Sequence, residues 1–173
     1  AAWEWAKRRN GGRAPAAREF VKRLFGTVPV LDSGGRGATT TFAQRGIGDV
    51  LLAFENEAQL IRNELGNGQF DIVVPSLTVR ADNPVVVVDK VAARKGTAAL
   101  AKAYVQFHYS HKAQEIFANN DIRPVDGEVL KEYAARFPPL NTFNVDEAFG
   151  SWSQAQATHF ADGGSFDQIY QDK

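Results

Sequence analysis

Short apolar runs of strand type alternate with helix-patterned segments through the first half of this chain, and no other feature limits its fold as tightly. Val28 to Leu31 leads into the turn Ser33-Gly34-Gly35-Arg36-Gly37, and a helical pattern from Ala38 to Arg45 follows, stopped by Gly46. Asp49 to Phe54 is a second run. It opens a helical pattern over Glu55 to Leu65 that Gly66-Asn67-Gly68 closes, and Phe70 to Val74 is a third run halted by Pro75. Strand alternating with helix predicts an α/β class fold, a mostly parallel sheet flanked by helices on both faces. Asn83-Pro84 then introduces Val85 to Asp89, four valines without polar alternation, which reads as a strand buried on both sides.

The flanking segments read as helices. Ala1 to Arg9 and Ala14 to Phe25 open the chain, the second with Phe20, Val21, Leu24 and Phe25 on one face and Gly26 at its end. Beyond residue 90 the pattern is helical again. Thr97 to Tyr109 carries Leu100, Tyr104 and Phe107 on one face, and His111 to Asn119 stands behind a Ser110 cap. Glu128 to Phe137 precedes Pro138-Pro139, and a last helix near Trp152 to Ala161 precedes Gly163-Gly164. The shift of pattern near residue 84 is the natural place for a crossing between two lobes.

Composition excludes several function classes. Twenty basic residues balance twenty acidic ones in 173, so no bulk field draws the chain onto nucleic acid or an anionic membrane, and any anion chemistry must be local. There is no cysteine, which removes disulfides, thiolate metal sites and a thiol nucleophile. No apolar run approaches the roughly 20 residues that span a bilayer. The chain has no methionine and begins on Ala1-Ala2-Trp3-Glu4-Trp5-Ala6, a helix already under way; it reads as a piece or processed product of a longer protein.

Two stretches could carry chemistry. In Asp32-Ser33-Gly34-Gly35-Arg36-Gly37-Ala38-Thr39-Thr40-Thr41 a glycine turn leads into a helix, whose first N–H groups have no partner inside the helix and attract anions. The spacing is neither that of a Walker loop nor G-x-G-x-x-G. An ordinary strand-to-helix turn is the competing reading, and Arg36 could meet an anion or pair with a carboxylate as support. In the second stretch, Gly46 to Glu57, a strand ends at Phe54 and Glu55 and Glu57 open a helix. Ligands of parallel sheets sit at such carboxyl ends, while glutamates in a first helical turn are there for the helix dipole rather than for catalysis. His108 and His111 straddle a helix break and His159 stands alone. With no carboxylate partners evident, they read as surface or capping residues, and no metal site is expected.

From Val30-Leu-Asp-Ser-Gly-Gly-Arg-Gly-Ala-Thr-Thr-Thr-Phe42 through Gln44-Arg-Gly-Ile-Gly-Asp-Val-Leu-Leu-Ala-Phe-Glu-Asn-Glu-Ala58, the chain resembles bacterial sulfate- and thiosulfate-binding proteins. Val88-Asp89-Lys90, Tyr109-Ser110 with Ala113-Gln114-Glu115, Phe149-Gly-Ser-Trp152, and His159-Phe160 with Gly163-Gly-Ser-Phe-Asp167 continue the match in collinear order. The resemblance implies the C-terminal portion of a two-lobed, class II periplasmic binding protein. Such a receptor delivers sulfate or thiosulfate to the membrane subunits of an ABC importer, as a monomer, without catalysis and without a cofactor. A ligand-sensing or enzymatic domain on the same architecture is the alternative.

On that resemblance, residues 1–83 are most of the second ligand-binding lobe, 84–89 an interlobe crossing strand and 90–173 a C-terminal helical part shared between lobes. The N-terminal lobe of the same protein is the partner that completes the site. Gly35 matches a position whose backbone N–H donates to the anion, with Ser33 and Gly34 in the same turn and Arg36 as support behind it. Phe54 stands where sulfate-binding members place a tryptophan whose indole N–H also donates, and thiosulfate-binding members resemble this chain in having phenylalanine there. The anion is a dianion with acceptors only, so a pocket of N–H and O–H donors suits it.

Overall fold

The computed structural model describes residues 1–65 and 68–170, with the side chains of residues 64 and 65 left aside. Helix α1 (Ala2–Arg9) and helix α2 (Ala14–Gly26) form an antiparallel hairpin. The turn between them needs glycine, since Gly11 and Gly12 take φ values of +63° and +80° that a Cβ disfavours. Pro15 then lies in the first turn of α2, where its missing N–H costs nothing. Ala6 and Ala17 are buried on the facing surfaces, small enough to let the helices approach. Trp5 and Phe20 close the open end with ring centroids 5.1 Å apart.

Helix α3 (Gly35–Ala43) and helix α4 (Glu55–Leu60) follow, and α4 runs on as one π-helical turn over Ile61–Leu65. Strand β1 (Thr78–Val79) comes next, then α5 (Asp89–Arg94), α6 (Ala98–Phe107), α7 (His111–Asn119) and α8 (Gly127–Glu132). Strand β2 (Thr142–Phe143) precedes α9 (Val145–Phe149), α10 (Trp152–Ala155) with a π-helical turn over Gln156–Phe160, and α11 (Ser165–Tyr170). The last helix returns to the first hairpin, where Phe166 meets Phe25 edge-on at 5.5 Å.

Caps set several of these boundaries. Ser110 accepts the Ala113 N–H at 3.3 Å, as its position before α7 predicts. Asn144 and Glu147 make a capping box at the start of α9. A compact apolar cluster of Ala118, Val129 and Phe137, with Leu130 and Tyr133 against it, locks α7 to α8 and the turn that follows.

The α/β class holds, with less sheet than the sequence predicts. Among the described residues the ladder is a parallel pair, Thr78 opposite Thr142 and Val79 opposite Phe143. Phe143 is buried, and the Arg8 guanidinium lies 5.6 Å from its ring centre, which sets β2 against α1. The runs Val28 to Leu31, Asp49 to Phe54, Phe70 to Val74 and Val85 to Asp89 do not form strands. An extended segment becomes a strand only when its N–H and C=O groups find a neighbouring one, and these runs lie open: Val50, Leu52 and Val73 are 79%, 75% and 84% exposed.

Other boundaries move for local reasons. Asp89 does not end a strand; it sits in the first turn of α5, where an acid favours the dipole. The pattern expected as one helix from Glu128 to Phe137 is helical over Gly127–Glu132 and then turns. The closing signal at Gly66-Asn67 lies outside the described residues, while Gly68 takes a φ of +80°. No helix among the described residues is long and apolar enough to cross a membrane.

Candidate functional site

The glycine turn belongs to the helix it precedes. The predicted start at Ala38 moves forward to Gly35, because Gly34 is extended and serves as the N-cap, so Gly35, Arg36 and Gly37 form the first turn of α3. The first intrahelical bond is donated by Ala38 to the Gly34 carbonyl at 3.1 Å. The N–H groups of Gly35, Arg36 and Gly37 are therefore the helix's orphan donors, and no side chain caps this end. Ser33, Gly34 and Gly35 are all exposed. A Cβ built on Gly35 would meet nothing within 4 Å, so glycine here leaves open access rather than relieving a clash.

A second helix start lies beside the first. Phe54 is the extended N-cap of α4, again with no side-chain cap, and Ala58 donates to its carbonyl at 3.0 Å. The N–H groups of Glu55, Asn56 and Glu57 are thus the orphans of this turn. What joins the two ends is Glu57. Its carboxylate accepts from Arg36 Nη2 at 3.0 Å through Oε1 and from Thr39 Oγ1 at 3.1 Å through Oε2. The start of α3 is thereby tied to the first turn of α4.

The same contacts give Arg36 a carboxylate partner. Glu57 is only 13% exposed while the guanidinium is 66% exposed. Thr41 Oγ1 donates to Asp32 Oδ1 at 3.2 Å, holding the approach to the turn, and Gly37 packs where a Cβ would stand 3.4 Å from Asp32. Thr39 and Thr41 are both buried. The threonine run after the glycines thus supplies the fastening that the sequence left unassigned.

Glu55, next to Phe54, is held from far along the chain. Arg123 donates from Nε to Oε2 at 2.9 Å and from Nη2 to Oε1 at 2.7 Å, and also reaches the Pro138 carbonyl at 2.9 Å. Nothing in the local sequence signals this pairing. Phe54 itself is 63% exposed, with no N–H or O–H on its side chain to offer a ligand.

The histidines divide by environment. His108 caps the end of α6, its Nδ1 lying 2.8 Å from the Tyr104 carbonyl. His159 sits among Trp3, Phe149 and Phe160, and its Nδ1 lies 3.1 Å from Ser165 Oγ. Burial among these rings, helped by nearby Arg18 and Lys7, pushes its pKa below the usual histidine value. His111 is different: the fold brings carboxylates to it that sequence reasoning did not find.

Two helix starts without side-chain caps are thus fastened together on an α/β scaffold through Arg36, Thr39 and Glu57. The chain belongs to the bacterial extracellular solute-binding protein family, which it matches over residues 1–120. It is 52% identical over 169 residues to a thiosulfate-binding protein of Pseudomonas aeruginosa, covering 98% of this chain and 51% of that protein. Sulfate-binding proteins of Salmonella typhimurium and Escherichia coli are each 53% identical over the same length, with the same coverage. The chain thus spans about half the length of the curated relatives it matches. Each of these relatives is named as a binding protein rather than an enzyme.

Proposed function

We propose that this chain is part of a periplasmic receptor that binds sulfate or thiosulfate and passes it to the membrane subunits of an ABC importer. The observation that carries the reading is the fastening of the α3 start to the α4 start through Arg36, Thr39 and Glu57. It ties the Gly35 turn to the first turn of α4 and satisfies a carboxylate that would otherwise repel a dianion. The anion is then held by backbone N–H groups of the Ser33-Gly34-Gly35 turn, with Arg36 supporting from behind. Hydrogen bonds to a charged partner contribute roughly 1.5–3 kcal/mol each, so a few donors offset the cost of desolvating it.

In this reading residues 1–83 are most of one ligand-binding lobe, 84–89 cross between lobes and 90–173 are shared. The rest of the longer protein, its N-terminal lobe, supplies further donors. The exposed extended runs agree with this, as does α6, in which Leu100 and Tyr104 are open to solvent: surfaces of this kind are costly unless covered. Relatives about twice as long supply the chain to cover them.

Calorimetric titration of the full-length protein tests the proposal. Saturable binding of sulfate or thiosulfate, with indifference to phosphate, is expected. Binding of neither anion would refute it.

A further inference from the structure

At the junction of α7 and α8 the fold gathers one imidazole and four carboxylates. His111, Asp126 and Glu128 each offer a ligand atom within 4.8 Å of the other two, and His111, Glu115 and Glu132 do the same. The arrangement follows from helix geometry. Residues four apart share a face, so His111 and Glu115 of α7 are set toward Glu128 and Glu132 of α8.

The scaffold beneath is rigid. The Ala118, Val129 and Phe137 cluster locks the two helices together. Buried Gln114 fastens the connection between them, accepting from Val125 N–H at 2.7 Å and Asp126 N–H at 3.3 Å, and donating to the His108 carbonyl at 2.7 Å. Asp126 is oriented in turn, because its Oδ1 accepts the N–H groups of Glu128 and Val129 at 2.8 and 3.2 Å. One carboxylate oxygen is thereby held in a set direction.

We propose that His111, Asp126 and Glu128 bind one divalent transition-metal ion of the zinc class. Bonds of about 2.0–2.2 Å to nitrogen and oxygen require ligand atoms roughly 3.3–3.6 Å apart in a tetrahedral shell, which side-chain rotation at this exposed site supplies. An imidazole among the ligands selects zinc-like ions over calcium or magnesium, which take oxygen. Glu115 is the weaker candidate, since Lys112 Nζ already lies 3.3 Å from its Oε2. A bound ion clips the start of α7 to the start of α8. The site is separate from the anion-receptive turns and does not depend on their reading.

Calorimetric titration of the full-length protein with zinc chloride at pH 7.5 tests the assignment, with His111→Gln, Glu128→Gln and the double variant E115Q/E132Q compared after circular dichroism confirms their fold. One equivalent of zinc is expected, weakened at least tenfold by His111→Gln and by Glu128→Gln and little changed in E115Q/E132Q. Absence of zinc binding, equal affinity in His111→Gln, or loss confined to E115Q/E132Q would each overturn it.

Discussion

Arg123 grips Glu55 with two parallel hydrogen bonds of 2.9 and 2.7 Å, joining the first turn of α4 to the segment after α7 across 68 residues of chain. The guanidinium also lies 5.3 Å from the Phe137 ring centre, so one side chain ties the candidate anion site to the α7–α8 cluster. Glu55 thereby anchors the start of α4.

Removing that tie should destabilise the protein. Both side chains are about a quarter to a third exposed, at 24% and 32%, so solvent screening discounts the pair to about 1–2 kcal/mol. Arg123→Ala is expected to lower the urea midpoint accordingly. Arg123→Lys should recover little, because a lysine cannot make the two-pronged contact. Equal midpoints for wild type and Arg123→Ala would contradict this.

Phe54 offers a gain-of-function test. Exposed at the start of α4, it can be replaced by tryptophan without disturbing packing among the described residues, and the indole adds one N–H donor. One extra hydrogen bond to a dianion, at roughly 1.5–3 kcal/mol, corresponds to tenfold or more in affinity. Titration of the full-length Phe54→Trp variant with sulfate should show that increase, and an unchanged affinity would mean that position 54 does not face the anion.

His159 predicts an acid-side loss of stability. Its folded pKa lies below the usual value near 6.5, so the folded state binds its proton less readily than the unfolded chain does. Stability is full above about pH 6.5 and falls as pH drops through the lower folded value. His159→Gln removes the titration and keeps a polar partner for Ser165. Urea unfolding at several pH values between 5 and 8 should show wild type losing stability relative to His159→Gln on the acid side; a constant difference would count against it.

The sequence alone located most helices and the glycine turn, because capping residues, glycine stops and apolar spacing act over a few residues. Ser110 before α7 and the Gly11-Gly12 bend depend on nothing farther away. Local pattern also marked Ser33 to Gly37 as a place where backbone donors are free. It could not reveal that Arg36 and Thr39 meet Glu57, that Arg123 reaches Glu55, or that Asp126 and Glu128 stand beside His111. Each joins residues distant in sequence, and charges carry no record of their partners until packing sets their distances. The strand runs show the opposite limit. Val50, Leu52 and Val73 have strand chemistry, but pairing requires a neighbour, and only tertiary structure decides whether one is in place.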